Sequence, residues 1–486
     1  MASQSPYALF IDGRWRDARD GRRFAVENPA DLSVVAELPD AGPADMADAV
    51  EAAVRAQEAW AAEPAHSRGA VLIAVAEAMR REAEGLARLM TLEEGKPLPE
   101  ARGEIVYAAS FLEWFGQEAD RVYGDVLAVN DPDKRLFVFK RPVGVTAAIT
   151  PWNFPAAMIA RKVGPALAAG CTMVVKPSEL TPLSALAMAR LFEAAGLPPG
   201  VLSVVSGQDA AALAGVVMAD ARVRKVSFTG STQVGQILMR QAADTVKRLS
   251  LELGGHAPLI VFEDADLDLA VEQAVIAKMR GMGETCVSPN RFYVQRSIAP
   301  AFARAVAERL AAMRVGNGLE EGVQVGPLVE AAAVAKVERH VQDAIAAGAE
   351  LVLGGRRGEG AGHFYLPTVL AGVHDDMLVS QEETFGPVVP LSAFDDEEEA
   401  IRRANDTPYG LAAYYFTRDA ARVLRLAERL EYGILGANDG LPSTARAPFG
   451  GVKASGFGRE GGRYGIDEYL DVKYMSLGGI RRTTGA

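Results

Sequence analysis

VGVTAAIT (residues 143–150) opens the series that sets the fold class, and CTMVVK (171–176), GVLSVVSG (200–207), VRKVSF (223–228) and VKRLSLEL (246–253) continue it. Each run is short and β-rich. Between them lie helical patterns: TPLSALAMARLFEAAG (181–196), DAAALAGVVMAD (209–220) and STQVGQILMRQAA (231–243). Strands alternating with helices predict a parallel, doubly wound α/β sheet. The rhythm recurs in NRFYVQ (290–295), in helical stretches over 300–313 and 333–349, in ELVLGG (350–355), PVVPLSAF (387–394) and EEEAIRRAN (397–405), and in LAAYYF (411–416) and ARVLRLAERL (421–430). A second α/β unit is therefore expected. Before the first series, Met46, Val50 and Val54 step by four, and helical patterns continue through 71–81 and 108–124, so this part reads as packed helices. EYLDVKYMSLGG (468–479) is strand-like with no local partner, which places its hydrogen bonds elsewhere, a second subunit being one candidate.

At about 150 residues per domain, 486 residues imply about three units, and a hydrophobic fraction of 49% suffices for large cores. Lys and Arg total 51 against 63 Asp and Glu, a formal charge of −12 that repels nucleic acid and anionic bilayers. Neither is expected as a partner. The apolar run Ala8 to Ile11 is too short for a signal-peptide core, and no uninterrupted apolar stretch reaches the length of a membrane span. Cys171 and Cys286 are the only cysteines, so a disulfide framework is not available. The expectation is a soluble, cytoplasmic protein.

Chemistry-bearing residues sit where predicted strands end. In FTGSTQVG (228–235) Gly230 would turn the chain, and the amides of Ser231 and Thr232 at a helix start would face an anion such as a pyrophosphate. The Gly-x-x-x-x-Gly pattern alone also fits a simple glycine turn. In VVKPSELTP (174–182) Lys176 closes a strand, Ser178 or Thr181 can cap the next helix, and Lys176 with Glu179 can reach a ribose or merely pair with each other. Glu252, in LELGGHAP (251–258), ends an apolar strand; it reads as a desolvated general base or as a capping or ion-paired glutamate. Cys171 lies among aliphatic residues like a buried small hydrophobe, whereas Cys286, in GMGETCVSPNRF (281–292), is surrounded by Gly, Glu, Thr, Ser and Asn. His256 has no second ligand at metal spacing, so no metal is expected. The acidic run 395–399 reads as a helix start.

PWNFP (151–155), KPSE (176–179), FTGST (228–232), LELGG (251–255), GETC (283–286), EETFGPV (382–388) and PFGGVKASG (448–456) follow one another in an order that resembles the NAD(P)-dependent aldehyde dehydrogenases over nearly the whole chain. The resemblance implies two doubly wound α/β domains plus a small β oligomerisation flap. The cofactor domain would comprise residues 1–122 and 141–254, the catalytic domain 255–455, and the flap 123–140 with 456–486, assembled as a homodimer or homotetramer. It implies Cys286 as nucleophile, Asn153 as oxyanion donor together with the Cys286 N–H, and Glu252 as the activator of a hydrolytic water. Read structurally, Asn153 could equally hold a turn. The resemblance places Lys176 and Glu179 at the adenosine ribose, Ser231 at the diphosphate, and Glu383 and Phe385 near the nicotinamide ribose. Thr150, Pro151, Trp152, Ser178, Gly230, Gly235 and Leu253 complete the cofactor-binding set. The cofactor would be NAD, because Glu179 would repel a 2'-phosphate, with NADP as the alternative through Lys176 and Ser178.

Arg161, Arg280 and Ser443 stand where semialdehyde dehydrogenases resembling the succinate-semialdehyde enzymes hold a distal carboxylate. Either arginine could instead pair with a protein carboxylate. KYMSLGG (473–479) resembles the succinate-semialdehyde branch, while LELGGHAP and CVSPNRF (286–292) resemble 2-oxoglutarate-semialdehyde dehydrogenases. The expected substrate is thus a small carboxylate-bearing semialdehyde, succinate semialdehyde first, with 2-oxoglutarate semialdehyde or broader specificity as alternatives. Ser288 replaces a second cysteine that some succinate-semialdehyde enzymes carry, so a redox-switch disulfide cannot form there. Glu252 argues against a coenzyme A-acylating relative. Intact Cys286, Asn153 and Glu252 argue against a structural descendant and a plain nucleotide-binding module.

Overall fold

A computed structural model of the chain describes residues 8–480. Two mixed sheets organise it. The first has eight strands in the order Gly456–Phe457, Arg248–Glu252, Val223–Thr229, Val145–Ile149, Met173–Lys176, Leu202–Val204, Leu9–Ile11 and Arg14–Arg16. The five strands from Arg248–Glu252 to Leu202–Val204 are mutually parallel. They are the five runs that open the sequence reading. Successive side chains enter opposite cores: Ala148 and Val175 join one cluster, Ala147 and Val174 the other. Burial on both faces explains why these strands are apolar at nearly every position.

The second sheet runs Glu350–Leu353, Thr368–Ala371, Val388–Phe394, Pro289–Gln295, Ala257–Val261, Ala412–Phe416 and Ile434–Ala437, all parallel except the antiparallel edge strand Glu350–Leu353. Leu259 and Val261 face one core while Ile260 and Phe262 face the other. The doubly wound α/β class is therefore observed twice, with antiparallel strands added at the edges. The acidic run does start a helix, Glu397–Asn405, where Asp396 accepts from the Glu399 N–H at 2.9 Å.

Two expectations change. Leu470–Leu477 finds its partner within the chain, pairing antiparallel with all of Arg135–Pro142, which also pairs with Asp125–Leu127. In addition, Gly456–Phe457 pairs with Leu251 and Glu252 in the first sheet, so the chain returns to that sheet before entering the three-stranded sheet. Parts of the expected cofactor and flap segments, residues 1–7 and 481–486, lie outside the described residues. Among the described residues no helix is long and apolar enough to cross a membrane.

Candidate active site

Four parallel strands of the first sheet end side by side, and each hands its next residues to one cleft. Ile149 is in register with Lys176 and Phe228, and Thr229 with Glu252. Just beyond these ends, the Thr150 N–H donates to Lys176 O at 3.1 Å and the Gly230 N–H to Glu252 O at 3.0 Å. Open parallel sheets bind ligands at this edge. Opposite it lie the approaches to the second sheet, Gly254 to His256 ahead of Ala257–Val261 and Cys286 ahead of Pro289–Gln295. The two edges enclose a cavity of about 430 Å³ lined by Pro151, Trp152, Asn153, Gly230, Ser231, Glu252, Leu253, Cys286, Glu383 and Phe385, together with Glu330, Ala333 and Lys336.

The cysteine loop is held by close backbone approaches. Gly281, Met282 and Gly283 all have positive φ, 55°, 54° and 80°, and for Met282 that is a strained conformation. A Cβ on Gly283 would fall 2.2 Å from Gly386 O, and one on Gly255 would fall 2.2 Å from Cys286 O. Glycine is thus required on both flanks of the thiol. Asn153 Nδ2 donates to Glu284 O at 2.8 Å, which ties the amide to the same loop. Glu252 is 2% exposed, and among the described residues neither carboxylate oxygen has a hydrogen-bond partner. The capping and ion-pair readings of Glu252 find no such contact here.

Residues 15–475 match the model of the aldehyde dehydrogenase family. The chain is 54% identical over 471 residues to a glutarate-semialdehyde dehydrogenase of Pseudomonas aeruginosa, covering 97% of both proteins. It is 53% identical over 468 residues to the Escherichia coli succinate-semialdehyde dehydrogenase [NADP(+)] GabD, covering 96% of this chain and 97% of that protein. Succinate-semialdehyde dehydrogenase from Burkholderia pseudomallei superposes with a TM-score of 0.96 at 53% identity, over 98% of this chain and 99% of the other. The chain belongs to the aldehyde dehydrogenase family.

Charge around this aldehyde dehydrogenase site is set by burial. Burial pushes the Cys286 thiol up to about 12; Arg161 and Arg280 oppose the shift, while Glu383 and Glu252 add to it. Burial, then the negative Glu460, lifts Glu252 well above the usual carboxylate range. Burial raises Glu460 too, but Lys162 and Arg161 outweigh it, and its carboxyl ends below its ordinary value. Arg161, 2% exposed, stacks 3.7 Å from the centroid of Phe449, and its Nε lies 3.5 Å from Glu460 Oε2. Its Nε and Nη2 nevertheless have no hydrogen-bond partner among the described residues. Arg280 sits 4.7 Å from the Phe154 centroid and 5.6 Å from that of Tyr107, and among the described residues no carboxylate comes within ion-pair distance of it. Ser443 is half-buried on the loop after Ile434–Ala437 and stands outside the cavity lining, as Arg161 and Arg280 do.

On the cofactor side, Ser231 caps the helix Thr232–Ala243, its Oγ accepting from the Val234 N–H at 3.3 Å. Gly230 is needed for space rather than for a positive φ, because a Cβ there would lie 2.4 Å from the Phe228 ring. Gly235 packs on Leu253, whose Cδ2 would be 2.5 Å from an added Cβ, and is not itself in the cavity lining. Lys176 Nζ meets Glu179 Oε2 at 2.8 Å, and these two, with Thr150 and Ser178, lie beyond the cavity. Neither Ser178 nor Thr181 caps the helix Pro182–Ala194; the distant Glu93 accepts from the Leu183 and Ser184 N–H groups at 2.7 and 2.8 Å. Trp152 packs edge-on against Phe385, whose φ is 57°. Glu383 accepts from the Gly255 N–H at 2.9 Å and is raised by burial to about 7. His256 is an internal hydrogen-bonding group, Nε2 lying 2.7 Å from Ser380 O.

Sequence reading missed Lys336, on the helix Ala331–Ala346, which lines the cavity and whose charge acts on Glu383. It also missed Glu460, which contacts Lys162 across 298 residues. No local signal marks either residue, since each acquires its neighbours only on folding.

Proposed function

We propose that this chain oxidises a short semialdehyde with a distal carboxylate, succinate semialdehyde foremost, to the dicarboxylic acid with NAD(P). The observation that carries this reading is the pair of arginines beside the thiol. Arg280 is framed by aromatic rings with no ion-pair partner among the described residues, and Arg161, although ion-paired with Glu460, is buried with two nitrogens free of hydrogen bonds. Unused donors on a buried guanidinium are costly until an acceptor arrives. A carboxylate on the far end of the substrate satisfies both, which accords with the semialdehydes that name the bacterial relatives. The 2-oxoglutarate-semialdehyde alternative gains no support from them.

The residues perform the reaction in two halves. Cys286 loses its thiol proton to solvent and adds through sulfur to the aldehyde carbon, whose carbonyl π pair moves to oxygen, and the oxyanion that forms accepts hydrogen bonds from the Asn153 amide and the Cys286 N–H. A nicotinamide dinucleotide, when bound, supplies the hydride acceptor. The thioester left on Cys286 is then opened by water, with Glu252 taking the proton. For the dinucleotide, the chain offers the amino end of Thr232–Ala243 at Ser231, the unpartnered buried Thr150 Oγ1, and Glu383 with Lys336 in the cavity. Lys176 and Glu179 would take the adenosine ribose by releasing each other. We further infer a cofactor unit of 1–122 with 141–254, a catalytic unit of 255–455, and a flap from 123–140 and the C-terminal segment. Val126, Val472 and Tyr474 on that flap are 70%, 69% and 58% exposed, and pairing of subunits as homodimers or homotetramers would cover them.

Arg161→Leu should lower kcat/KM for succinate semialdehyde by about 100-fold, from the loss of charged hydrogen bonds, while hexanal turnover changes far less. Equal losses on both aldehydes would remove the carboxylate pocket. With cofactors, kcat/KM should favour NAD over NADP, because the Glu179 carboxylate accepts from a 2'-hydroxyl and repels a 2'-phosphate. A clear NADP advantage would show that Lys176 and Ser178 dominate that subsite instead.

A further inference from the structure

Lys96 is fully buried, and the reaction described above gives it no part. Its Nζ donates to Glu104 Oε2 at 2.6 Å and to the main-chain oxygen of Asn153 at 2.8 Å, lies 4.1 Å from the Phe154 ring centroid, and is 3.6 Å from Glu94 Oε1. Glu104, on the helix Leu98–Glu118, uses its other oxygen to accept from the Ala156 and Ala157 N–H groups at 2.9 and 3.1 Å. One helical turn earlier, Glu100 accepts from the Gly281 N–H at 2.6 Å. Gly281 opens the strained turn that leads to Cys286, and Asn153 is tied to that same loop through Glu284 O.

One helix therefore grips both halves of the oxyanion site, the Asn153 segment through Glu104 with Lys96 and the cysteine loop through Glu100. Lys96 is the cation that lets these carboxylates sit together out of water. A buried ion cluster is weak as a stabilising device, since well-packed apolar side chains serve as well or better. Its use here is geometric. A lysine ammonium is a compact point donor, and here it can hold a carbonyl and a carboxylate at once.

We propose that Lys96 is a positioning residue for aldehyde oxidation, holding Asn153 in register with Cys286. This rests on the reading of Asn153 as the oxyanion donor. Misplacing a catalytic group by about 1 Å can cost about 100-fold. Lys96→Met should accordingly lower kcat by about 10- to 100-fold, with kcat/KM falling in parallel, because the lost contact acts in the transition state.

The test is a double-mutant cycle of Lys96→Met with Asn153→Ala, read by steady-state kinetics, with thermal melting to establish folding. The expected result is that Lys96→Met costs far less in the Asn153→Ala background than in the native one. Equal fold-losses in both backgrounds, or a native kcat for Lys96→Met, would overturn the proposal while leaving the role of Asn153 intact. A native kcat for Asn153→Ala would instead overturn the oxyanion reading, and the proposal with it. Should Lys96→Met fail to fold, Glu104→Gln, which weakens the hold on Lys96 but keeps an acceptor for Ala156 and Ala157, goes through the same cycle with the same criteria.

Discussion

Cys286→Ala should reduce cofactor reduction by on the order of 10⁴-fold or more, because among the described residues the cavity holds no second thiol to form the thioester. Hydride departs readily only from a tetrahedral carbon that bears an oxyanion, and in the proposed reaction the thiol makes the carbon tetrahedral. Cys171→Ala serves as the control. That thiol is buried, donates to Tyr469 O at 3.4 Å, and is raised by burial to about 11, all marks of a packing residue. The specific activity of folded Cys171→Ala protein should match the native value. Substantial NADH formation by Cys286→Ala would mean that the reaction does not pass through sulfur.

Glu252→Gln should separate the two halves of the reaction. Acylation needs the thiol and the oxyanion donors, whereas hydrolysis needs a base for water. The variant should release one equivalent of reduced cofactor per site in a burst and then turn over about 10²- to 10⁴-fold more slowly. In the native enzyme the same group should set a pH dependence. Glu252 is raised well above the ordinary carboxylate range, first by burial and then by Glu460. Below that raised pKa it is a neutral acid and cannot accept a proton, so deacylation should fall as pH decreases and recover as pH rises through it. In Glu252→Gln this limb of the profile should disappear. A variant that keeps both steady-state rate and pH limb would assign the base elsewhere.

Much of this architecture could be read in the chain because each core strand is short, β-rich and bounded by a helical pattern, as in VGVTAAIT and CTMVVK. Cys286 could be singled out because its neighbours, glycines and small polar residues, do not suit a packed core, and Glu252 because a carboxylate there ends an apolar strand. What escaped was non-local. Leu9–Ile11 reads as a brief apolar run, yet it is a strand, hairpinned to Arg14–Arg16 and joined to the first sheet where Phe10 pairs with Val204. Ala257–Val261 was masked by the LELGGHAP motif that leads into it. Glu93 gives no sign in sequence that it caps a helix 90 residues away. The strand Leu470–Leu477 was recognisable, but its pairing with Arg135–Pro142 required the fold. Arg161 shows one of its sequence readings, the ion pair with a protein carboxylate, Glu460, while its Nε and Nη2 stay without hydrogen bonds among the described residues.

The central claim is a covalent bond between the substrate's carbonyl carbon and Cys286. Glu252→Gln protein mixed with NAD and succinate semialdehyde, quenched within one turnover and digested for mass spectrometry, tests it most directly. The peptide holding Cys286 should gain the mass of the aldehyde less two hydrogens, in step with the burst of NADH. A full burst with that peptide unmodified, or with the acyl group on another residue, would contradict it.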